Sequence, residues 1–381
     1  MRQLTITALA LTLAGCGQSG ETAKASSSPS PAQGQAAAIP ASGAAVRPET
    51  RTFRDWYAVC DNGGACAGYS GGSTGWLRIG LDAGPSAQPL IQLGMWPEGE
   101  ALTGPLALVI DGKRFAATPS PDDTSVASIA SAQVPAVLAA LNAGKTLALV
   151  AGSQTVEIPT AGSSASLLWI DERQGRLDTL TALSRRGDRP ASAVPAAPAL
   201  PVIAAAPAIS QEGFKTVIDP ADPLDRPNAI APAVLEAVPA VKQCRANTDF
   251  NAYLQKAVTV DRLSADTELW GVPCDAGAYN FSYAYFITGP NGVDPRQVRF
   301  PDRDGDTDHS AEGENDLLVN PEYDPKTRTL SAFAKARGLG DCGVAQTWTW
   351  TGQAFVMSRE QVMQDCWGMS SEFWPTTFRS R

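Results

Sequence analysis

One histidine stands in the 381 residues of this chain. A lone imidazole excludes multi-histidine metal centres and leaves a histidine-based triad with His309 alone. No C-x2-C spacing occurs, so a cysteine zinc site lacks its usual framework. The glycine-rich phosphate loop G-x-x-x-x-G-K-[ST] is also missing. Basic residues are the minority, 30 Lys and Arg against 39 Asp and Glu, for a formal charge of −9. That balance argues against nucleic acid as a partner and against a basic membrane-surface patch. No apolar run reaches the roughly 20 residues that span a bilayer as a helix.

What the chain does have begins at its N-terminus. Arg2 precedes an apolar or small stretch, Leu4 to Leu13, and then Leu13-Ala14-Gly15-Cys16. This resembles the lipobox of bacterial lipoproteins, which implies cleavage after residue 15 and lipidation, with palmitate among the acyl groups, at Cys16. Several acyl chains hold a protein stably on a membrane where one holds only marginally. Gly17 follows the cysteine. By the same resemblance, a residue other than aspartate there implies the periplasmic face of the outer membrane.

Cysteine usage points to the same compartment. Besides Cys16 there are Cys60, Cys66, Cys244, Cys274, Cys342 and Cys366. An even number in an exported chain reads as a disulfide framework. Six cysteines allow 15 pairings. Their grouping in three sequence-local pairs suggests 60–66, 244–274 and 342–366. Residues 16–50 are small, polar and proline-rich without an aromatic, so they are expected as a disordered tether. A second Ala/Pro stretch, 187–209, reads as a linker. The expected organisation is therefore a β-rich domain over 51–186 and a disulfide-bonded β-rich domain over 210–381.

In the first of these, short alternating runs predict a mostly antiparallel, sandwich-like sheet. Trp76, Arg78 and Gly80 alternate with Leu77, Ile79 and Leu81. Asp111-Gly112 and Gly152-Ser153 between apolar runs mark hairpins. Helices are expected over 134–144 and 164–186. GYSGG at 68–72 matches the G-x-S-x-G nucleophile elbow. An elbow needs a helix after the serine, yet a second alternating strand follows. Ser70 therefore reads as a turn residue beside a small disulfide loop. Asp55-Trp56, Cys60-Asp61, Cys66, Trp96-Pro97-Glu98-Gly99, Gly104-Pro105-Leu106 and Ile110-Asp111-Gly112 are similar to the invasion-associated locus B family. That family's usual cysteines in mid-domain have no counterpart over 116–132.

In the second domain an aromatic strand carries Phe281, Tyr283 and Tyr285 on one face. Hairpins are expected at Asp324-Pro325-Lys326-Thr327 and at Thr351-Gly352, a short helix over 359–366 and a last strand over 373–379. LWGVPC, GAYN, LVNPEYD, RGLGDCG, TWTWTGQAF and FWP, in that order, resemble the bacterial envelope family catalogued as domain of unknown function 1176. The resemblance implies an exported, disulfide-bonded protein and no known reaction. The fold class is mainly β (α+β): two β-rich domains behind a lipoprotein tether.

Candidate sites are few. Asp302, Asp304, Asp306 and Asp308 alternate around Gly305, and a compact run of carboxylates suits calcium. The spacing fails the EF-hand pattern, so a solvated acidic loop is the other reading. Trp348 and Trp350 share a strand face and either fill a core or form an exposed platform for a glycan or protein. With no catalytic grouping in view, the chain is expected to be a non-enzymatic envelope protein. It would bind an unknown envelope protein or glycan, with an inhibitor or immunity role as one form. The alternative is a glycan hydrolase using two carboxylates.

Overall fold

The structure, a computed structural model, describes residues 46–96, 101–212, 228–247, 256–303 and 317–381, with 214, 218 and 219. Cys16, His309, Asp304, Asp306 and Asp308 lie outside the described residues, as does most of the expected tether.

The N-terminal half is built on β1 (Glu49–Phe53), β2 (Trp56–Cys60), β3 (Cys66–Gly72), β4 (Gly75–Leu81), β5 (Leu90–Met95), β6 (Leu106–Ile110), β7 (Lys113–Pro119), β8 (Val126–Ile129), β9 (Leu147–Ala151) and β10 (Gln154–Glu157). They form one antiparallel sheet in the order β1-β2-β3-β4-β5-β8-β7-β6-β9-β10. β1 starts at Glu49, inside the stretch expected as tether. The sheet folds over on itself. A Cβ at Gly75, at the start of β4, would sit 3.1 Å from Leu149 and 3.2 Å from Val156. Asp111 (φ 47°) and Gly112 (φ 78°) make the tight turn between β6 and β7 with both residues left-handed, the geometry that matches strand twist.

Two helices cover one face of this sheet. α1 (Val134–Ala143) has proline in its first turn and glycine as its C-cap, which fits the asymmetry of helix ends. α2 (Ser163–Arg173) is shorter than the helix expected over 164–186. Gly175 lies at φ 65°, a conformation that ends the helix, and Asp171 captures the chain beyond it. Its carboxylate accepts the backbone N–H groups of Leu183, Ser184 and Arg185 at 2.7, 2.8 and 3.1 Å. Burial raises the pKa of this carboxyl and those three donors oppose the rise.

In the C-terminal half, short β11 (Ile218–Asp219) and β12 (Asn228–Ala229) pair with each other. α3 (Ala233–Glu236) and α4 (Pro239–Arg245) follow. β13 (Thr259–Arg262), β14 (Glu268–Ala276), β15 (Phe281–Thr288) and β16 (Arg296–Gln297) form a sheet, with β17 (Leu317–Val319) also paired to β15. A second sheet runs in sequence order through β18 (Glu322–Asp324), β19 (Thr329–Lys335), β20 (Gly343–Trp350), β21 (Phe355–Met363) and β22 (Thr376–Arg379). Residues 359–366 were expected to be a helix. Instead, residues up to Met363 extend β21, because cross-strand pairing to both β20 and β22 satisfies their backbone groups.

Alternation along these strands produces stacked layers. Leu269 and Tyr285 of the first sheet meet Leu330, Trp348, Trp350, Phe355 and Met357 of the second in one core. The outer face of the first sheet carries Trp270, Val272 and Phe286 under α3 and α4. The outer face of the second sheet presents Met363, Phe333 and Trp374 to Tyr57, Tyr69 and Trp76 of the N-terminal half. The expected two domains therefore share an interior. In β2 to β4 both faces are buried: Leu77, Ile79 and Leu81 face α2's side, and Trp76 faces the second half.

The Ala/Pro stretch 187–209 lies along this body. Ile203 donates to Arg381 O at 3.0 Å, Arg381 to Pro201 O at 2.9 Å, and Ala206 to Trp350 O at 2.8 Å. Val194 is buried. A run poor in backbone donors is thus held as an edge strap to the C-terminal strands. The three disulfides are Cys60–Cys66, Cys244–Cys274 and Cys342–Cys366.

Candidate functional site: a guanidinium-lined cleft at the seam

Cys60 and Cys66 end β2 and β3 directly opposite each other, and their disulfide closes a loop of five residues. Inside that loop Asp61 folds the backbone around itself. Its Oδ1 accepts the N–H groups of Gly63 at 2.8 Å and Ala65 at 2.9 Å. Gly64 supplies the left-handed residue at φ 75°. This is the turn that the Gly-rich sequence implied.

The loop docks on the last strand of the chain. Asn62 Nδ2 donates to Arg379 O at 2.9 Å, and Asn62 Oδ1 accepts the Arg379 N–H at 2.9 Å. A side-chain amide offers both an N–H donor and a carbonyl acceptor, so Asn62 stands in for a neighbouring strand's backbone. Asp61 Oδ2 pairs with Arg379 Nε at 2.5 Å. Burial raises the Asp61 pKa, and the Arg379 guanidinium and the two loop N–H groups oppose that rise.

Beside this clamp the two halves leave a cleft of about 280 Å³. Its charged lining is Asp61, Arg78, Asp82, Arg359 and Arg379. Arg78 projects from β4. Its Nη1 donates to Gln92 Oε1 at 2.7 Å and its Nε to the Tyr69 hydroxyl at 3.2 Å. Tyr69 in turn donates to Phe373 O at 3.3 Å, across the seam. Burial raises the Tyr69 pKa, with Arg78 opposing, so the phenol is a neutral acceptor for this cation. The guanidinium lies over Gly80, where an added Cβ would come within 2.6 Å of Nη1.

Arg359 reaches the cleft through a bulge. Trp348 pairs with Met357 but Thr347 pairs with Arg359, which leaves Ser358 as an extra residue in β21. The bulge switches the strand's alternation. Phe355 and Met357 point into the inter-sheet core, whereas Arg359 and Met363 point to the N-terminal half. Arg359 also lies directly across from Arg379 in β22. Like charges placed so are destabilising.

Elsewhere the expected sites take other roles. Trp348 and Trp350, 2% and 5% exposed, are core residues and offer no platform. The alternation placed them on one face correctly, but the sheet β13–β17 covers that face, with Trp348 Nε1 donating to Pro301 O at 2.8 Å. Ser70 is buried in β3 and donates to Asp55 O at 3.0 Å, so it is no exposed nucleophile. Of the calcium candidates only Asp302 is described. Asp341, Cys342 and Cys366 come together, but both sulfurs are in the disulfide and Asp341 is held by Arg337 at 2.5 Å. A second cavity of about 310 Å³ lies over the Cys244–Cys274 disulfide.

Two buried carboxylates, Glu268 and Glu360, are committed to structure. Glu268 accepts from Trp270 Nε1 at 2.7 Å and from Asn291 and Gly292 N–H at 2.9 and 3.1 Å. Glu360 accepts from Thr377 at 2.6 Å and Gln346 at 3.0 Å. The sequence reading missed Arg78, Arg359 and Arg379. Only Arg78 had a signal, as a charge between Trp76 and Gly80 on one strand face.

The model of the family described as a protein of unknown function, DUF1176, matches residues 50–381, so the chain belongs to that family. The uncharacterised protein YpfG of Escherichia coli (strain K12) is 30% identical over 370 residues, covering 91% of this chain and 97% of that protein. No solved structure matches.

Proposed function

We propose that this chain is a non-catalytic binding protein of the bacterial envelope, with the seam cleft as its ligand site. In this reading Cys16 carries the lipid, and the following segment tethers the folded body to the periplasmic face of the outer membrane. A kinship of residues 51–186 with invasion-associated locus B proteins is part of this reading and would fit an exported setting. The observation that supports binding over hydrolysis is the distribution of charge. A glycosidase needs two carboxyl groups facing each other across its substrate. Here Asp61 is held by Arg379 and by its own loop, and the other carboxylate of the lining, Asp82, shares the cleft with three arginines.

Two assays on the oxidised full chain in detergent test this reading. Incubation with peptidoglycan is expected to release no reducing ends. A soluble peptidoglycan digest is expected to raise the thermal midpoint of the wild type and not that of Arg359→Gln. Release of sugar fragments would replace the binding reading with the hydrolase. A chelator arm tests whether calcium at Asp302 to Asp308 takes part. Incorporation of labelled palmitate that disappears in Cys16→Ser tests the anchor.

A further inference from the structure

We infer that the seam cleft selects a small organic anion, a compact molecule bearing a carboxylate or phosphate monoester, with Arg78 and Arg359 as its direct partners. This deepens the binding reading and rests on it. Three observations on the two walls support it.

First, the two guanidiniums lack a counter-charge. The partners of Arg78 are neutral, an amide oxygen and a phenol oxygen. Among the described residues neither Arg78 nor Arg359 has a carboxylate within ion-pair distance. Arg379 is the exception, since Asp61 neutralises it. A half-buried cation held by neutral acceptors in a chain of charge −9 is costly unless something negative visits it.

Second, both positions are constructed. Gly80 leaves the space in which the Arg78 guanidinium lies, and any side chain there would displace it. The extra residue Ser358 turns Arg359 out of the inter-sheet core and toward the cleft, opposite Arg379. Bulges that re-aim one side chain occur beside binding and catalytic sites. Arg359 lies across from Arg379, and since Asp61 meets the charge of Arg379, Arg359 is the member of that pair left for a ligand.

Third, the remaining wall suits an organic molecule. Val59, Leu81, Leu90 and Pro375 line the cleft beside the arginines, Leu90 is 45% exposed, and the three arginines outnumber the two carboxylates of the lining, Asp61 and Asp82. The volume of about 280 Å³ falls just below the usual range for drug-sized ligands. The occupant is then of the size of a single sugar acid or sugar phosphate. Guanidinium recognises either oxyanion through two parallel N–H donors.

The test is calorimetry on the full chain in detergent, disulfides intact, with D-glucuronate, sn-glycerol 3-phosphate and D-glucose. One or both anions are expected to bind, more weakly as salt rises, while glucose does not. The glucuronate and glycerol phosphate arms separate a carboxylate source from a phosphate source. Arg359→Gln and Gly80→Ala are each expected to weaken anion binding by about tenfold or more. Arg359 is exposed and holds no ion pair among the described residues, so the thermal midpoint of Arg359→Gln without ligand should change little. A merely structural arginine would not separate binding from stability in this way. No heat with either anion, or anion affinity unchanged in both variants, overturns the inference. Glucose binding as tightly as glucuronate overturns charge selection but leaves the binding reading standing. Turnover of a probe would instead overturn the binding reading.

Discussion

Replacing Trp374 by alanine tests whether the two halves are one folding unit. The side chain is 2% exposed in the core shared by Tyr57, Tyr69 and Trp76 on one side and Met363 and Met369 on the other. Its ring meets Phe333 in a T-shaped contact at 5.4 Å, and its indole N–H donates to Met369 O at 2.8 Å. Truncating a buried Trp costs about 3–5 kcal/mol in lost transfer energy and cavity formation. Loss of the indole donor adds about 1 kcal/mol where water does not reach the carbonyl. A total near 4–6 kcal/mol compares with whole-domain stabilities of roughly 5–15 kcal/mol. Urea unfolding followed by far- and near-ultraviolet circular dichroism provides the readout. The wild type is expected to unfold in one transition, because breaking the seam exposes apolar surface on both halves. In Trp374→Ala that transition should move down by roughly 1–2 M urea with its slope kept. The reasoning fails if the wild type shows two transitions and the substitution moves only one of them.

Further predictions follow from single positions. Gly162→Ala should abolish folding or leave a severely destabilised protein, because Gly162 lies at φ 105° and a Cβ would overlap the Phe53 carbonyl oxygen. Gly72→Ala, with open space around it, should change stability by no more than about 0.5 kcal/mol, so thermal melts of the pair separate crowding from composition. The Cys244→Ala/Cys274→Ala double variant should lose about 3–4 kcal/mol in urea titrations, from the loop closed over a separation of 30 residues. Asp261 in β13 is pushed up to about 6 by burial beside Tyr285 and Tyr323. A folded value above the unfolded one means that its contribution is complete below about pH 4 and is lost as pH rises through 6. The loss is at most about 3 kcal/mol, and Asp261→Asn should remove it. Equal pH dependence of the two proteins between 4 and 7 would refute the assignment.

The parts of this protein that can be read from the sequence are those fixed by near neighbours. Alternation in 76–81 placed Leu77, Ile79 and Leu81 together because successive strand residues take opposite faces. The turns at Asp111-Gly112 and Thr351-Gly352 were legible because few residues adopt positive φ cheaply. The three disulfides were suggested by local spacing for the same reason. Where the reading missed, the deciding partner was distant. Residues 359–366 were expected to be a helix, and it is pairing to β20 and β22 that makes a strand of those up to Met363. Trp348 and Trp350 left both a core and a surface platform open, and the covering sheet β13–β17 decides for the core.

The cleft was the least legible feature, and its construction explains why. Asn62 and Arg379 are separated by 317 positions, and their contact exists only because the Cys60–Cys66 loop reaches the final strand. Arg359 faces the seam only because one extra residue shifts the alternation of β21, and a single-residue bulge leaves no mark in composition or periodicity. Each arginine alone reads as an ordinary surface cation on an acidic chain. Together they form a positive locus on two walls that come from opposite ends of the sequence. Asp61 meets only one of the three guanidiniums, and among the described residues no carboxylate pairs with Arg78 or Arg359. A fold selected for stability alone would have neutralised the other two. Their persistence beside a glycine that clears space for one and a bulge that aims the other is the physical reason to look for an anion at this seam.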